Sequence, residues 1–326
     1  MTRFVTPKGV KRAKALVLVG LCALLGSACH SERIGPPPNA PTLVRASDAM
    51  PADLDLVVRL DLRKIRDALG GPAMTALSRQ AVQGLRGADR ATDALLLSAL
   101  EQTDTLWLGV RPTRALEAAD TVFVMSGHFP NFDPHRAESA PRFGPPLDLG
   151  GDLRRYDRAP PPARAAPARI YVQGDRLLVT VSVAEIDSVE RSLEEQRGGP
   201  PLEPAEKGVL SAIARPQVLP LGILAGTGSL RRLVQSADRL ELNADLNGSG
   251  VDATLALKFE DPPLAEKVAK ALNEMRDALG ADSGRLAKLA TRVKVESAGQ
   301  FVSLHFTVGR DELSELVNCR GSACAW

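Results

Sequence analysis

The chain has few of the residues that most often carry chemistry. Its 326 residues include only eight Phe, two Trp and two Tyr, and several of these fall at alternating, strand-like positions, so a platform for stacking sugars or bases is not expected. There are four histidines, His30, His128, His135 and His305, and none of their spacings matches a zinc motif on a helix or turn. Gly-x-Ser-x-Gly, His-Glu-x-x-His and Ser-x-x-Lys motifs are missing. No apolar run reaches the roughly 20 residues that a helix needs to cross a bilayer. The longest at the N-terminus, Ala15 to Leu25, stops well short of that.

Net charge is also small once the charges are located. Arg3, Lys8, Lys11, Arg12 and Lys14 precede the apolar run without an acid among them, and the small residues Gly26-Ser27-Ala28 follow it. A basic segment, an apolar segment and a small-residue site are the layout of a cleaved export signal. The whole chain carries 41 basic and 39 acidic residues, so removing residues 1–28 leaves a balance of about −3. A basic surface able to displace counterions from nucleic acid is therefore not expected.

The stretch Leu25-Gly26-Ser27-Ala28-Cys29 resembles the lipobox of bacterial lipoproteins. The resemblance implies that Cys29 is acylated and begins the mature protein, anchored in a membrane. Gly26 stands where the family usually has Leu, with Leu25 one position earlier. His30 rather than Asp after the cysteine implies, by analogy, the outer membrane. Residues 30–46, with Gly35-Pro36-Pro37-Pro38-Asn39-Ala40-Pro41, read as a semi-extended tether. Cys22 lies in the discarded leader, so Cys319 and Cys324 remain, and two thiols in an oxidising compartment are expected to pair as a disulfide.

Beyond the tether, apolar alternation and turn residues give an order of elements. Leu54 to Leu60 reads as a strand leading into a helix through Leu69, and helical spacing recurs over Met74–Leu85 and Asp93–Leu100. Thr105–Val110 and Thr121–Met125 read as strands, a Pro-rich insertion spans 130–167, and Arg169–Val172 with Leu177–Val183 form a hairpin before a helix from Ile186. The second half repeats the order. A strand at Leu221–Leu224 precedes a helix capped by Ser229, and a hairpin follows from Leu240 to Phe259 around Asn247-Gly248-Ser249-Gly250. A helix opens at Asp261-Pro262 and stops at Gly280, and a hairpin around Ser297-Ala298-Gly299 precedes a short helix over Glu312–Val317. The expected fold is α+β, with two tandem, duplicated domains at 51–200 and 215–318, each an antiparallel sheet covered by helices on one side, and a C-terminal tail at 319–326. This order, with Gly127-His128-Phe129-Pro130-Asn131-Phe132-Asp133-Pro134, is similar to uncharacterised secreted and lipid-anchored proteins of soil and predatory bacteria. The similarity brings no activity with it.

Candidate chemistry is sparse. His128, Asp133 and His135 share one loop, and Asp53, Asp55 and Asp61 flank the first strand, where neighbouring Arg59, Arg63 and Lys64 suggest a solvated face. Gly226-Thr227-Gly228-Ser229 lacks both a third glycine and a P-loop Lys, so a turn with a helix cap accounts for it. His305 follows Leu304 in an alternating strand and is expected on the polar side. No catalytic residue, cofactor or metal is assigned. The expected protein is a lipid-anchored, non-enzymatic envelope protein that binds another envelope component, through a groove between the domains or an exposed sheet face. The competing expectation is an extracytoplasmic hydrolase using carboxylates or the His128, Asp133, His135 loop.

Overall fold

The computed structural model describes residues 45–70, 90–111, 120–136, 143–159, 167–194, 202–218, 228–248, 250–281, 285–309 and 312. Cys29, Cys319 and Cys324 lie outside these residues. So do the tether, the helical spacing at 74–85, the strand expected at 221–224 and all of the terminal helix but Glu312. No helix among the described residues is long and apolar enough to cross a membrane.

Twelve strands are described: β1 (Leu56–Asp61), β2 (Thr103–Arg111), β3 (Asp120–Gly127), β4 (Leu147–Asp148), β5 (Leu153–Asp157), β6 (Arg169–Gln173), β7 (Leu177–Val181), β8 (Leu210–Ala214), β9 (Arg239–Asn247), β10 (Gly250–Lys258), β11 (Lys294–Ala298) and β12 (Phe301–Gly309). They form one antiparallel sheet in the order β11-β12-β10-β9-β8-β1-β2-β3-β7-β6-β5-β4. The expectation of two tandem duplicated domains is therefore corrected. The halves share a ladder, because β8 pairs with β1 from Leu56↔Ala214 to Leu60↔Leu210 and with β9 from Leu210↔Ala244 to Ala214↔Leu240. A strand in the middle of a sheet has both rows of backbone groups satisfied by neighbours, so there is no edge at which two sheets could separate. The expected insertion is not all linker either, since β4 and β5 lie within it and close one end of the sheet.

Side chains alternate across a strand, so the registers define two faces. The first carries Leu56, Val58 and Leu60 of β1, with Leu106, Leu108 and Val110 opposite them. It continues through Leu240, Leu242, Leu255, Leu257, Val302 and Leu304. Helices α1 (Leu62–Leu69), α2 (Arg90–Glu101), α4 (Gly228–Gln235) and α5 (Pro262–Gly280) belong to this side. Leu62, Leu95, Leu96 and Ala99 pack with Leu106, Met125, Ile170 and Leu178, and Val234, Ala265, Val268, Ala269 and Leu272 pack with Leu257 and Val302. Each large apolar chain so buried contributes about 1.5–3 kcal/mol. Among the described residues the second face is covered only over one half. Val57, Trp107, Val122, Val124, Tyr171, Val179 and Ile213 pack there against Ala49 and Met50, and against Val189 and Leu193 of α3 (Ile186–Glu194).

Local chemistry explains the helix ends. Asp61 closes β1 and accepts a 2.9 Å hydrogen bond from the Lys64 amide, capping α1, and Gly70 at φ +82° ends it. Asp261 precedes α5 with extended backbone and Pro262 in the first turn, but its side chain makes no cap bond; its carbonyl instead accepts from the amides of Leu264 and Ala265. Gly280 is the last residue of α5, and the cap is Ala281 in right-handed conformation, so the expected glycine stop is replaced by an ordinary helical exit.

Candidate functional site

The second face changes character at β8. Over β9 to β12 it presents Glu241, Asn243 and Asp245, then Asp252, Thr254, Ala256 and Lys258, then Ser303, His305 and Thr307, and at the edge Lys294 and Glu296. None of these side chains is buried. Among the described residues α4 and α5 pack on the opposite face. The result is a four-stranded surface, polar apart from Ala256 and the exposed Phe301 opposite Lys258, backed by a hydrophobic layer and helices.

Its side chains are tied to one another. Thr307 Oγ1 donates to Asp252 Oδ1 at 2.7 Å, the Asn247 amide donates to the other carboxylate oxygen, and Asn247 Oδ1 caps the turn through the Gly250 amide. These bonds hold the Asp252 carboxyl below its ordinary range, because both favour the ionised form. His305 Nδ1 lies 3.0 Å from Thr254 Oγ1 and its Nε2 is 3.9 Å from Glu296. Arg239 pairs with Glu241 at 2.8 Å. At the margin, where cover gives way to open face, two polar atoms have no hydrogen-bond partner: Asn243 Oδ1 and, two strands further in, Arg59 Nη1. Asn243 stands beside Ser211 and Ser211 beside Arg59 in one row across β9, β8 and β1.

The covered half holds two ionic clusters beneath α3 and the 3₁₀ turn Val183–Glu185 that leads into it. At one, Arg111 binds Glu185 Oε1 at 2.8 Å, Asp53 Oδ1 at 2.6 Å and the Asp53 carbonyl at 3.0 Å. Arg111 holds Asp53 below the ordinary carboxylate range. Asp120, directly opposite Arg111 in the β2–β3 ladder, is pushed up to about 6 by burial and by Glu185. At the other cluster, Glu190 of α3 reaches both Arg155 and Arg169, while Asp157 faces the same two guanidinium groups. Tyr171 is buried against them and its hydroxyl is held well above the ordinary tyrosine range, chiefly by burial.

The loop candidates take separate partners. His128 Nδ1 is 3.2 Å from Asp175, His135 Nδ1 is 2.9 Å from the Phe143 carbonyl, and Asp133 accepts from the His135 amide and pairs with Arg136. Asp53, Asp55 and Asp61 likewise part: Asp53 to Arg111, Asp55 to Arg215 at 3.1 Å, and Asp61 to the cap of α1. Among the described residues no three His, Cys, Asp or Glu side chains gather as a metal set would. Gly226 and Thr227 lie outside the described residues. Asn247-Gly248 occupies the β9–β10 turn, and His305 stands on the polar face.

Sequence reading missed the two ionic clusters. Arg111 and Glu185 stand 74 positions apart, and Arg155 belongs to a strand inside the Pro-rich interval. The available signal was a surplus of charge on stretches that otherwise alternate as strands, as in Arg169-Ile170-Tyr171-Val172.

No protein-family model matches the chain, and no curated relative matches it. Among solved structures, crystal forms I, III and IV of TP0453 resemble it at 11%, 10% and 10% sequence identity, with TM-scores of 0.48, 0.48 and 0.49. The likeness covers 85%, 84% and 84% of this chain and 98%, 98% and 96% of that one. Likeness at this level assigns neither family nor activity.

Proposed function

We propose that the chain is a lipid-anchored, non-enzymatic protein of the cell envelope, tethered through Cys29, whose open polar face over β9 to β12 docks another envelope component. The reading rests first on the leader and its lipobox-like end. The structural observation that supports it is the asymmetry of the second face, covered over β1 to β7 and, among the described residues, open over β9 to β12. Antiparallel sheets tolerate one wet face, but here the wet part is continuous, four strands wide and internally hydrogen-bonded, with unpartnered polar atoms at its margin. A pre-ordered surface loses little side-chain entropy when a partner arrives. The groove between two domains no longer enters, since the halves share one sheet.

The test is Ala256→Arg at the centre of the open face, with Lys267→Glu on the exposed side of α5 as control. Both positions point away from the hydrophobic layer, so both variants should fold. In detergent extracts of the native envelope, the wild type and the control should migrate in one larger complex and Ala256→Arg should not. An Ala256→Arg protein that stays in that complex, or a wild type that migrates alone, overturns the docking role.

A further inference from the structure

We propose that Arg111, Glu185 and Asp120 form a proton-controlled latch that fastens the 3₁₀ turn Val183–Glu185 and the start of α3 onto the second face of the sheet. The inference concerns the cover over β1 to β7 and does not depend on the docking role of β9 to β12.

The geometry is an imbalance of charge in a closed corner. One guanidinium, on Arg111, meets two carboxylates directly, Glu185 at 1% exposure and Asp53. A third carboxylate, on Asp120 at 9% exposure, stands opposite Arg111 in the ladder and close enough to Glu185 to feel its charge. Of these three carboxylates, only Glu185 belongs to the turn that leads into α3. Nearby, the Ser182 amide donates to the Thr121 carbonyl and the Ser182 hydroxyl accepts from the Thr121 amide, but neither bond reaches α3. With all three acids ionised, the corner holds two uncompensated negative charges beside the anchoring Glu185–Arg111 pair. A proton on Asp120 relieves that repulsion and leaves the anchor intact.

The other groups around the corner do not supply the switch. Asp48, in the 3₁₀ turn Ala46–Ala49 packed against β3, accepts from the Arg45 amide. Arg191 of α3 acts weakly on Asp53, and Asp55 is paired with Arg215 one strand away. The described histidines, His128, His135 and His305, all have their partners elsewhere. The second cluster is a built-in reference. There Glu190 and Asp157 face two guanidinium groups, on Arg155 and Arg169, so charge balances.

The direction follows from linkage. Asp120 rises from 3.8 in the open chain to about 6 in the closed corner. Between those values the closed form holds a proton that the open form releases, so closure weakens as pH rises through this window and stays weakened above it.

Hydrogen exchange of the full chain at pH 5 and pH 8 tests the latch, with intrinsic base catalysis divided out. Protection of the amides from 183 to 188 should fall on the order of tenfold, because pH 5 lies about one unit below the raised Asp120 value and pH 8 lies above it. Protection from 190 to 194 should hold. Asp120→Asn, a neutral isostere of the protonated acid, should show the pH 5 protection at both pH values. Glu185→Gln should lower protection at 183 to 188 at both pH values and remove most of the pH dependence. Equal wild-type protection at the two pH values overturns the latch, as does an equal drop across 183 to 194. The wild type alone decides the matter if either variant fails to fold.

Discussion

Ile213→Ala should weaken the two halves of the chain together. Ile213 sits in β8 at 1% exposure, between Val57 of β1 and Glu241 of β9, and packs into the core of the second face. Removing its three outer carbons leaves a cavity, which for such a side chain costs about 2–5 kcal/mol. We take about 3 kcal/mol, and with a urea slope of about 3 kcal/mol per molar, at the upper end for single domains, the midpoint falls by about 1 M. Two probes report from opposite sides of β8. Trp107, in β2 and buried, reports by fluorescence in a Trp326→Phe background, and amide exchange in β10 and β12 reports from the other half. Since β8 is hydrogen-bonded on both sides, both midpoints should move by the same amount. A shift in Trp107 with β10 and β12 unmoved would refute the shared sheet.

Gly208→Ala should cost at least about 2 kcal/mol, since φ is +72° and the new Cβ would lie 2.3 Å from the Ala244 carbonyl oxygen; equilibrium urea unfolding measures it. Glu190→Ala leaves Arg155 and Arg169 short of an anion beneath α3, which should cost about 2 kcal/mol and lower Tm by about 5 °C by calorimetry. Cys319 and Cys324 should be unreactive toward a thiol reagent in protein purified from the envelope without reductant, and two titratable thiols would show that they do not pair. The N-terminal peptide of the mature protein should begin at Cys29 and carry acyl mass in mass spectrometry; a free Cys29 thiol would remove the anchor.

What could be read from the residues was the local pairing. The hairpins β6–β7, β9–β10 and β11–β12 announce themselves by alternation and by Gly174, Gly248 and Gly299 at their turns, and α1, α3 and α5 by one apolar stripe each. What could not be read was which strands meet across long stretches of chain. Leu210–Ala214 is five residues, nearly all apolar, and a strand buried on both faces has no alternation to mark it. β5, Leu153–Asp157, looks polar because Arg155 is buried by ion pairing and not by apolar contact. Missing these two strands made the halves look separate and the Pro-rich interval look like a linker. The candidate site divides in the same way. The polar side of β9 to β12 follows from the alternation of Glu241, Asn243 and Asp245, whereas its lack of cover depends on where α3 and α5 pack. The Arg111 corner joins residues from three distant segments, and no local pattern marks it.

The most direct test of the docking role places a photoreactive amino acid at Ser303, on the open face, and in a second strain at Lys267, on α5. After irradiation of intact cells, Ser303 should give one discrete cross-linked product and Lys267 none. No product from Ser303, or the same product from both positions, would contradict the assignment of the open face as the docking surface.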